Sequence, residues 1–216
     1  MLLTKLGHAC VRLEKDDVRL VIDPGIWAGP DALLGAAAVL ITHEHADHVD
    51  DAAVRDALGA DADLQLWASE AVAGQFAGFG DRVHAVQHGD AVHICGFDVH
   101  VYGAEHARLD TAIPIVPNTG FLVDGTVFHP GDSFTVPEDP VGVLLVPVSG
   151  PWLKFSDVAG YLRTVAPERG YWIHDALLND KAAHLWQNLL GLVPARSGPA
   201  SYLVPGTSVE ITSAPS

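Results

Sequence analysis

AAAVLITHEHADHVD, residues 36–50, runs from six uncharged residues into nine that hold three histidines and three carboxylates. The first part has the length and apolarity of a buried strand. The second cannot be core, because each buried polar group needs its own partner. A solvated loop has no use for three imidazoles. At a strand end, residues two apart point the same way, so His43 and His45 can converge on one cation. The turn beyond lets Asp47 and His48 face a second position nearby. DDAAVRDALG then reads as a short helix, acidic in its first turn and stopped at Gly59.

Further ligands are expected at other strand ends, since these meet along one edge of a layered fold. His106 closes VYGAEH, Asp132 closes FHPGD and His174 lies in YWIHD, each directly after an apolar run. The runs LLTKL, CVRLE and VRLVID are strands, with KDD as the turn between the last two. VIDPG brings Asp23 to a turn. LQLWAS is a strand and EAVAGQFAGFG a helix. RVHAVQ, DAVHICG and FDVHVYG suggest an antiparallel meander, and GFLVDGTVFHPGD is a hairpin turning on Asp124-Gly125. VGVLLVPVSG is a buried strand. SDVAGYLRTVAPE is a helix capped by Ser156, and DKAAHLWQNLLG an amphipathic helix ended by Gly191. Short strands and a Pro/Ser-rich end follow. No linker divides the chain, so residues 1–216 are expected to form one α/β domain, a layered sandwich.

The motif His43-x-His45-x-Asp47-His48, followed by a lone His, a Gly-Asp pair and a last His, resembles the metallo-β-lactamase superfamily. The resemblance runs from VIDPG through YWIHD. GHAC, HPGDSF and VPVSGPWLK are similar to its short single-domain branch of L-ascorbate-6-phosphate lactonase-like hydrolases. It implies a four-layer αβ/βα sandwich and two divalent metal ions. His43, His45 and His106 would hold one, and Asp47, His48 and His174 the other, with Asp132 bridging. Asp47 and Asp132 are then the catalytic carboxylates. Position 45 is His, where the di-iron flavoproteins of the superfamily carry Glu. Imidazole and carboxylate suit Zn²⁺, and also Mn²⁺ or Fe²⁺. Two such ions clamp a water of lowered pKa.

Composition narrows the partners. Net charge is −15, from 12 basic and 27 acidic residues, which disfavours nucleic acid. No apolar run reaches the roughly 18 residues of a membrane span. MLLTKLGHACVRLE lacks a signal-peptide core, so a cytoplasmic location is expected. Two cysteines without a CxxC read as buried thiols. The expected reaction is hydrolysis of a small molecule: a lactone, an ester or a phosphodiester. The alternatives are a nucleotide or nucleic-acid phosphodiesterase, a non-catalytic metal-binding protein and a mononuclear iron dioxygenase. Asp23 is expected to orient a ligand imidazole or to form its turn, and His8 of GHAC either to lie beside the site, as the resemblance suggests, or to be a satisfied strand-end histidine. Trp152, Lys154 and Asn118 are candidate substrate contacts. His129 is read as structural, and His84, His88, His93, His100 and His184 as ordinary strand or surface residues.

Overall fold

The structure is a computed structural model that describes residues 1–212; the Pro/Ser-rich end at 213–216 lies outside the described residues. Its strands are β1 (Leu2–Gly7), β2 (Cys10–Lys15), β3 (Val18–Ile22), β4 (Ala38–Ile41), β5 (Gln65–Ala68), β6 (Val83–Ala85), β7 (Ala91–Ile94), β8 (Phe97–Tyr102), β9 (Gly120–Val123), β10 (Val127–His129), β11 (Val143–Pro147), β12 (Arg169–Ile173) and β13 (Ser208–Glu210). The helices are α1 (Asp51–Ala60), α2 (Glu70–Gln75), α3 (Phe155–Val165) and α4 (Asp180–Leu190).

One sheet has the order β13-β1-β2-β3-β4-β5-β6 and the other β12-β11-β10-β9-β8-β7. Their facing sides share a core that includes Leu13, Leu20 and Leu40 against Val99, Phe121 and Leu145. Val54, Leu58 and Val72 pack α1 and α2 on the outer face of the first sheet. Val158, Leu162 and Leu190 pack α3 and α4 on the outer face of the second. The result is the expected four-layer αβ/βα sandwich. β4 is buried at all four positions because its parallel neighbours are covered on both faces.

Local chemistry sets the turns. Asp16-Asp17, Cys95-Gly96 and Asp124-Gly125 all take left-handed φ, as two-residue hairpins of this twist require. Three expectations need correction. β6 does not join the meander: it pairs parallel with β5, so RVHAVQ belongs to the first sheet. A tight run over Ala77–Arg82, turning at Gly80, supplies the crossover. α1 continues through Gly59 to Ala60. α3 starts one residue before Ser156, because the Asp157 carboxylate accepts from the Lys154 N–H at 3.1 Å.

Both sheets present strand ends along one edge. There the Thr119 N–H donates to the Thr42 carbonyl at 2.8 Å, and the His174 N–H to that of His8 at 3.1 Å. These bonds tie one sheet to the other where the polar motif emerges. Among the described residues no helix is long and apolar enough to cross a membrane.

Candidate metal centre

All seven expected ligand residues meet at that edge. Ligand atoms of His43, His45, His106 and Asp132 lie within 4.8 Å of one another, as do those of His8, Asp47, His48 and His174. Asp132 reaches both groups. Its Oδ1 is 3.1 Å from His48 Nε2, and its Oδ2 is 3.0 Å from His174 Nε2 and 3.3 Å from His106 Nε2. His174 Nε2 is also 3.3 Å from Asp47 Oδ2. His43 Nε2 stands 3.0 Å from His45 Nδ1.

The hydrogen bonds behind the imidazoles fix where their lone pairs point. Asp23 is fully buried and accepts from the Thr42 N–H at 2.8 Å and the Thr42 hydroxyl at 2.7 Å. It also accepts from His48 Nδ1 at 2.6 Å, which turns Nε2 inward as the nitrogen left to bind a cation once the ring is neutral. The Thr42 proton being committed, His43 Nδ1 donates to that oxygen at 3.0 Å, and its Nε2, 3.0 Å from His45 Nδ1, is left without a proton. His106 Nδ1 donates to the Ala107 carbonyl at 2.6 Å. Three inward nitrogens are thus set by groups outside the ring of ligands.

A cation fits this arrangement. His48 Nε2, Asp132 Oδ1 and both His174 nitrogens are buried without a hydrogen-bond partner. Several stand near 3 Å from a neighbouring ligand atom, yet the angles are wrong for hydrogen bonds. Ligands 2.0–2.1 Å from one tetrahedral ion would lie about 3.3–3.4 Å apart. Burial pushes the His43 imidazole well below its ordinary pKa. At His48 burial opposes the charge, but Asp132 and Asp23 outweigh it and raise the value. Burial likewise works against ionised Asp132, and His48 with the other imidazoles holds it well below the carboxylate range. The pocket therefore carries ionised carboxylates facing imidazole nitrogens whose protons a divalent cation would displace, a donor set for such an ion. Asp47 and His45 are the half-buried members, so the centre opens to solvent on their side.

His8 enters the second group, closer to the centre than GHAC suggested. Its hydrogen bonds suit a donor to Asp47. The Ala176 N–H donates to its Nδ1 at 3.2 Å, and burial keeps the ring neutral by lowering its pKa. The ring proton must then sit on Nε2, 3.2 Å from Asp47 Oδ2. His8, Asp23 and His174 all have left-handed φ, a backbone state that costs about 1–3 kcal/mol for residues with a Cβ.

Trp152 lies against the site: its ring is 5.7 Å from that of His106, and its Nε1 donates to Asp132 Oδ2 at 3.1 Å. Asn118 is not a substrate contact. It is fully buried, donates to the Pro130 carbonyl at 2.8 Å and accepts from the Asp132 N–H at 3.0 Å. Those bonds shape the turn that carries Asp132. Gly131 within it has φ +63°, and a Cβ there would come 2.3 Å from Asn118 Oδ1. Lys154 is exposed at the start of α3 and lines none of the four cavities described here. His129 is structural, with Nε2 donating to the Ala9 carbonyl at 2.8 Å and Nδ1 accepting from Gly131.

The sequence reading missed Lys5. It is 1% exposed, and its Nζ donates to the Trp172 carbonyl and to Asp175 Oδ1, both at 2.8 Å. These bonds flank His174 and hold its turn. The available signal was phase: Lys5 shares the inward face of β1 with Leu3, and an inward lysine needs a carboxylate. Three cavities border the centre. One of about 90 Å³ lies beside His45 and His106, one of about 460 Å³ beside His106 and Trp152, and one of about 500 Å³ reaches His8 between Trp27 and Trp172. A larger one, about 650 Å³, includes Ser69 and Thr119 and is lined by none of the eight clustered residues.

Residues 2–170 match the beta-lactamase superfamily domain. Protein Rv0786c of Mycobacterium tuberculosis is 35% identical over 196 residues, covering 88% of this chain and 91% of that one. A UPF0173 metal-dependent hydrolase of Xanthobacter autotrophicus is 30% identical over 151 residues, and the match spans 62% of each chain. Igni18, described as a novel metallo hydrolase from Ignicoccus hospitalis, shares the fold with a TM-score of 0.74 at 19% identity, over 98% of this chain and 99% of its own.

Proposed function

We propose that this chain, which belongs to the beta-lactamase superfamily, is a metal-dependent hydrolase of a small molecule, cleaving a lactone, a simple ester or a phosphodiester. The observation that carries the proposal is the set of buried, unpartnered atoms on His48, Asp132 and His174, facing the inward lone pairs of His43 and His106. An uncompensated buried polar group costs about 1–3 kcal/mol, so a cluster of them supports a site that takes an ion.

In this reading His43, His45 and His106 hold one cation, and Asp47, His48 and His174 a second. Asp132 spans both. Zinc suits the set best, with manganese or iron as alternatives. When bound, such a pair supplies a water acidified to near neutrality and polarises the substrate oxygen. The chain's own groups do the rest. Asp23, Thr42 and the Ala107 carbonyl hold the imidazole tautomers. Trp152 fixes Asp132 and, with the apolar strand ends behind it, keeps bulk water from the buried side. His8 holds Asp47 at the open side. That similar chains are metal-dependent hydrolases supports this reading. The net charge of −15 argues for a small substrate over nucleic acid. Two free cysteines fit a reducing cytoplasm, which is part of the proposal.

The test is Asp132→Ala, assayed on lactone, ester and phosphodiester panels together with metal analysis. Turnover should fall by more than about a hundredfold, since even groups that merely orient ligands are worth 10–100-fold. Near-normal turnover with both cations retained would refute the assigned role.

A further inference from the structure

We propose that Arg108 is the cation of an oxyanion-binding subsite beside the candidate metal centre. The substrate would then carry a carboxylate or phosphate group away from the bond that is cleaved. As a statement about a substrate, this rests on the hydrolase reading above.

Arg108 follows His106 by two residues, in the loop between β8 and β9. It lines both the small cavity shared by His45 and His106 and the wider one shared by His106 and Trp152. No other lysine or arginine lines any of the four described cavities. Among the other cations, Lys154, Arg163 and Lys181 are exposed without an ion pair among the described residues but line none of these cavities, and most of the rest are engaged. Lys5 pairs with Asp175, Arg12 and Arg19 with Glu14, Lys15 with Asp124, Arg55 with Asp51 and Arg196 with Glu168. Arg82 donates to three backbone carbonyls. The Arg108 side chain is exposed and forms no hydrogen bond or ion pair among the described residues. This holds although Glu105 and Asp157 line the same cavity and the chain carries 27 acidic residues.

Three physical arguments connect that placement to an anion. The overall negative field repels an anionic ligand, so a site for one needs its own cation besides the metals. The guanidinium fork matches carboxylate and phosphate oxygens in pairs, and its rigid geometry confers direction as well as charge. The adjoining walls are apolar, with Leu109, Ile113, Pro114 and Val116 beside Arg108. Low-dielectric walls strengthen the charge contact and suit a short hydrocarbon segment between the anionic group and the reacting bond.

Two esters with the same leaving group test this: 4-nitrophenyl butyrate, and mono-4-nitrophenyl glutarate with its remote carboxylate. The metal-loaded protein should favour the glutarate ester in kcat/KM by about tenfold, a typical yield of one charge-assisted contact. Arg108→Ala should erase that preference through KM for the anionic ester alone. Arg108→Lys should keep part of it and Arg108→Glu should reverse it. The same preference in the wild-type protein and Arg108→Ala would overturn the subsite. Calorimetry with glutarate and glycerol 3-phosphate runs in parallel, and the tighter ligand identifies the group recognised. Arg108→Ala should weaken its binding about tenfold, and unchanged Kd for both ligands would overturn the proposal. If the wild-type protein cleaves neither ester, simple esters drop out of the substrates proposed above, and calorimetry alone decides the subsite.

Discussion

Replacing Asp23 by Asn should weaken one cation while leaving the fold in place. Asp23 Oδ1 accepts from the Thr42 N–H, and Oδ2 from the Thr42 hydroxyl and His48 Nδ1. Asn is nearly isosteric and tolerates the left-handed φ of 53° at this position. Its carbonyl can keep the Thr42 N–H. The amide NH₂ then falls where Oδ2 was and faces the His48 Nδ1 proton. His48 must shift that proton to Nε2, and the lone pair that faced Asp132 is lost. Affinity for the cation held with Asp47 and His174 should fall 10–100-fold, or about 1.4–2.8 kcal/mol. The exchanged hydrogen bond itself costs about 1–2 kcal/mol of stability. For a chain of this size that is a few degrees in Tm. The assay is competitive titration of the apoprotein with Zn²⁺ against a chromophoric chelator, with thermal unfolding of the apo form alongside. One of two stepwise affinities should drop and the other hold. Two unchanged affinities would show that the His48 tautomer is not set by Asp23.

Gly25→Ala should disrupt the site from behind, because its Cβ would lie 2.0 Å from the Asp47 carbonyl oxygen and 2.6 Å from His48 N. Metal content measured by mass spectrometry should fall, with about 1–3 kcal/mol lost from stability; full occupancy would mean that the turn relaxes freely. Lys5→Met should cost about 3–5 kcal/mol by stranding Asp175, read as a Tm drop of roughly 6–20 °C. Adding Asp175→Leu should restore part of it, and a single mutant as stable as wild type would remove the ion pair from the account. His8→Ala should weaken the Asp47-side cation by about tenfold, with His8→Gln recovering affinity through its own N–H donor. If His8→Gln instead binds one cation fewer than wild type, His8 is a ligand and the tautomer argument is wrong.

Much of the fold is legible along the chain because its causes are local. AAAVLI is a strand buried on both faces, VDGT turns on Asp124-Gly125, and DKAAHLWQNLL carries a single apolar stripe. The seven candidate ligands are legible for a related reason. Four lie within six residues, and the others follow apolar runs whose ends a layered sandwich collects on one edge. The polar motif after β4 therefore identified where the site would be.

Tertiary structure alone decided the rest, because it depends on partners distant in sequence. Whether RVHAVQ joins one sheet or the other turns on a parallel register with β5. Asn118 reads as a surface turn residue until Pro130 and Asp132 fold against it. The direction of the His48 lone pair is set by Asp23, 25 positions earlier, and the proton on His8 by a backbone N–H 168 positions later. Lys5 is an ordinary strand lysine until Asp175 is brought to it, and Arg108 an ordinary loop arginine until no carboxylate is. Residue type and spacing fixed which groups can take part in the chemistry. Protonation, exposure and pairing came from the long-range contacts, since each is a property of two groups at a distance and of neither alone.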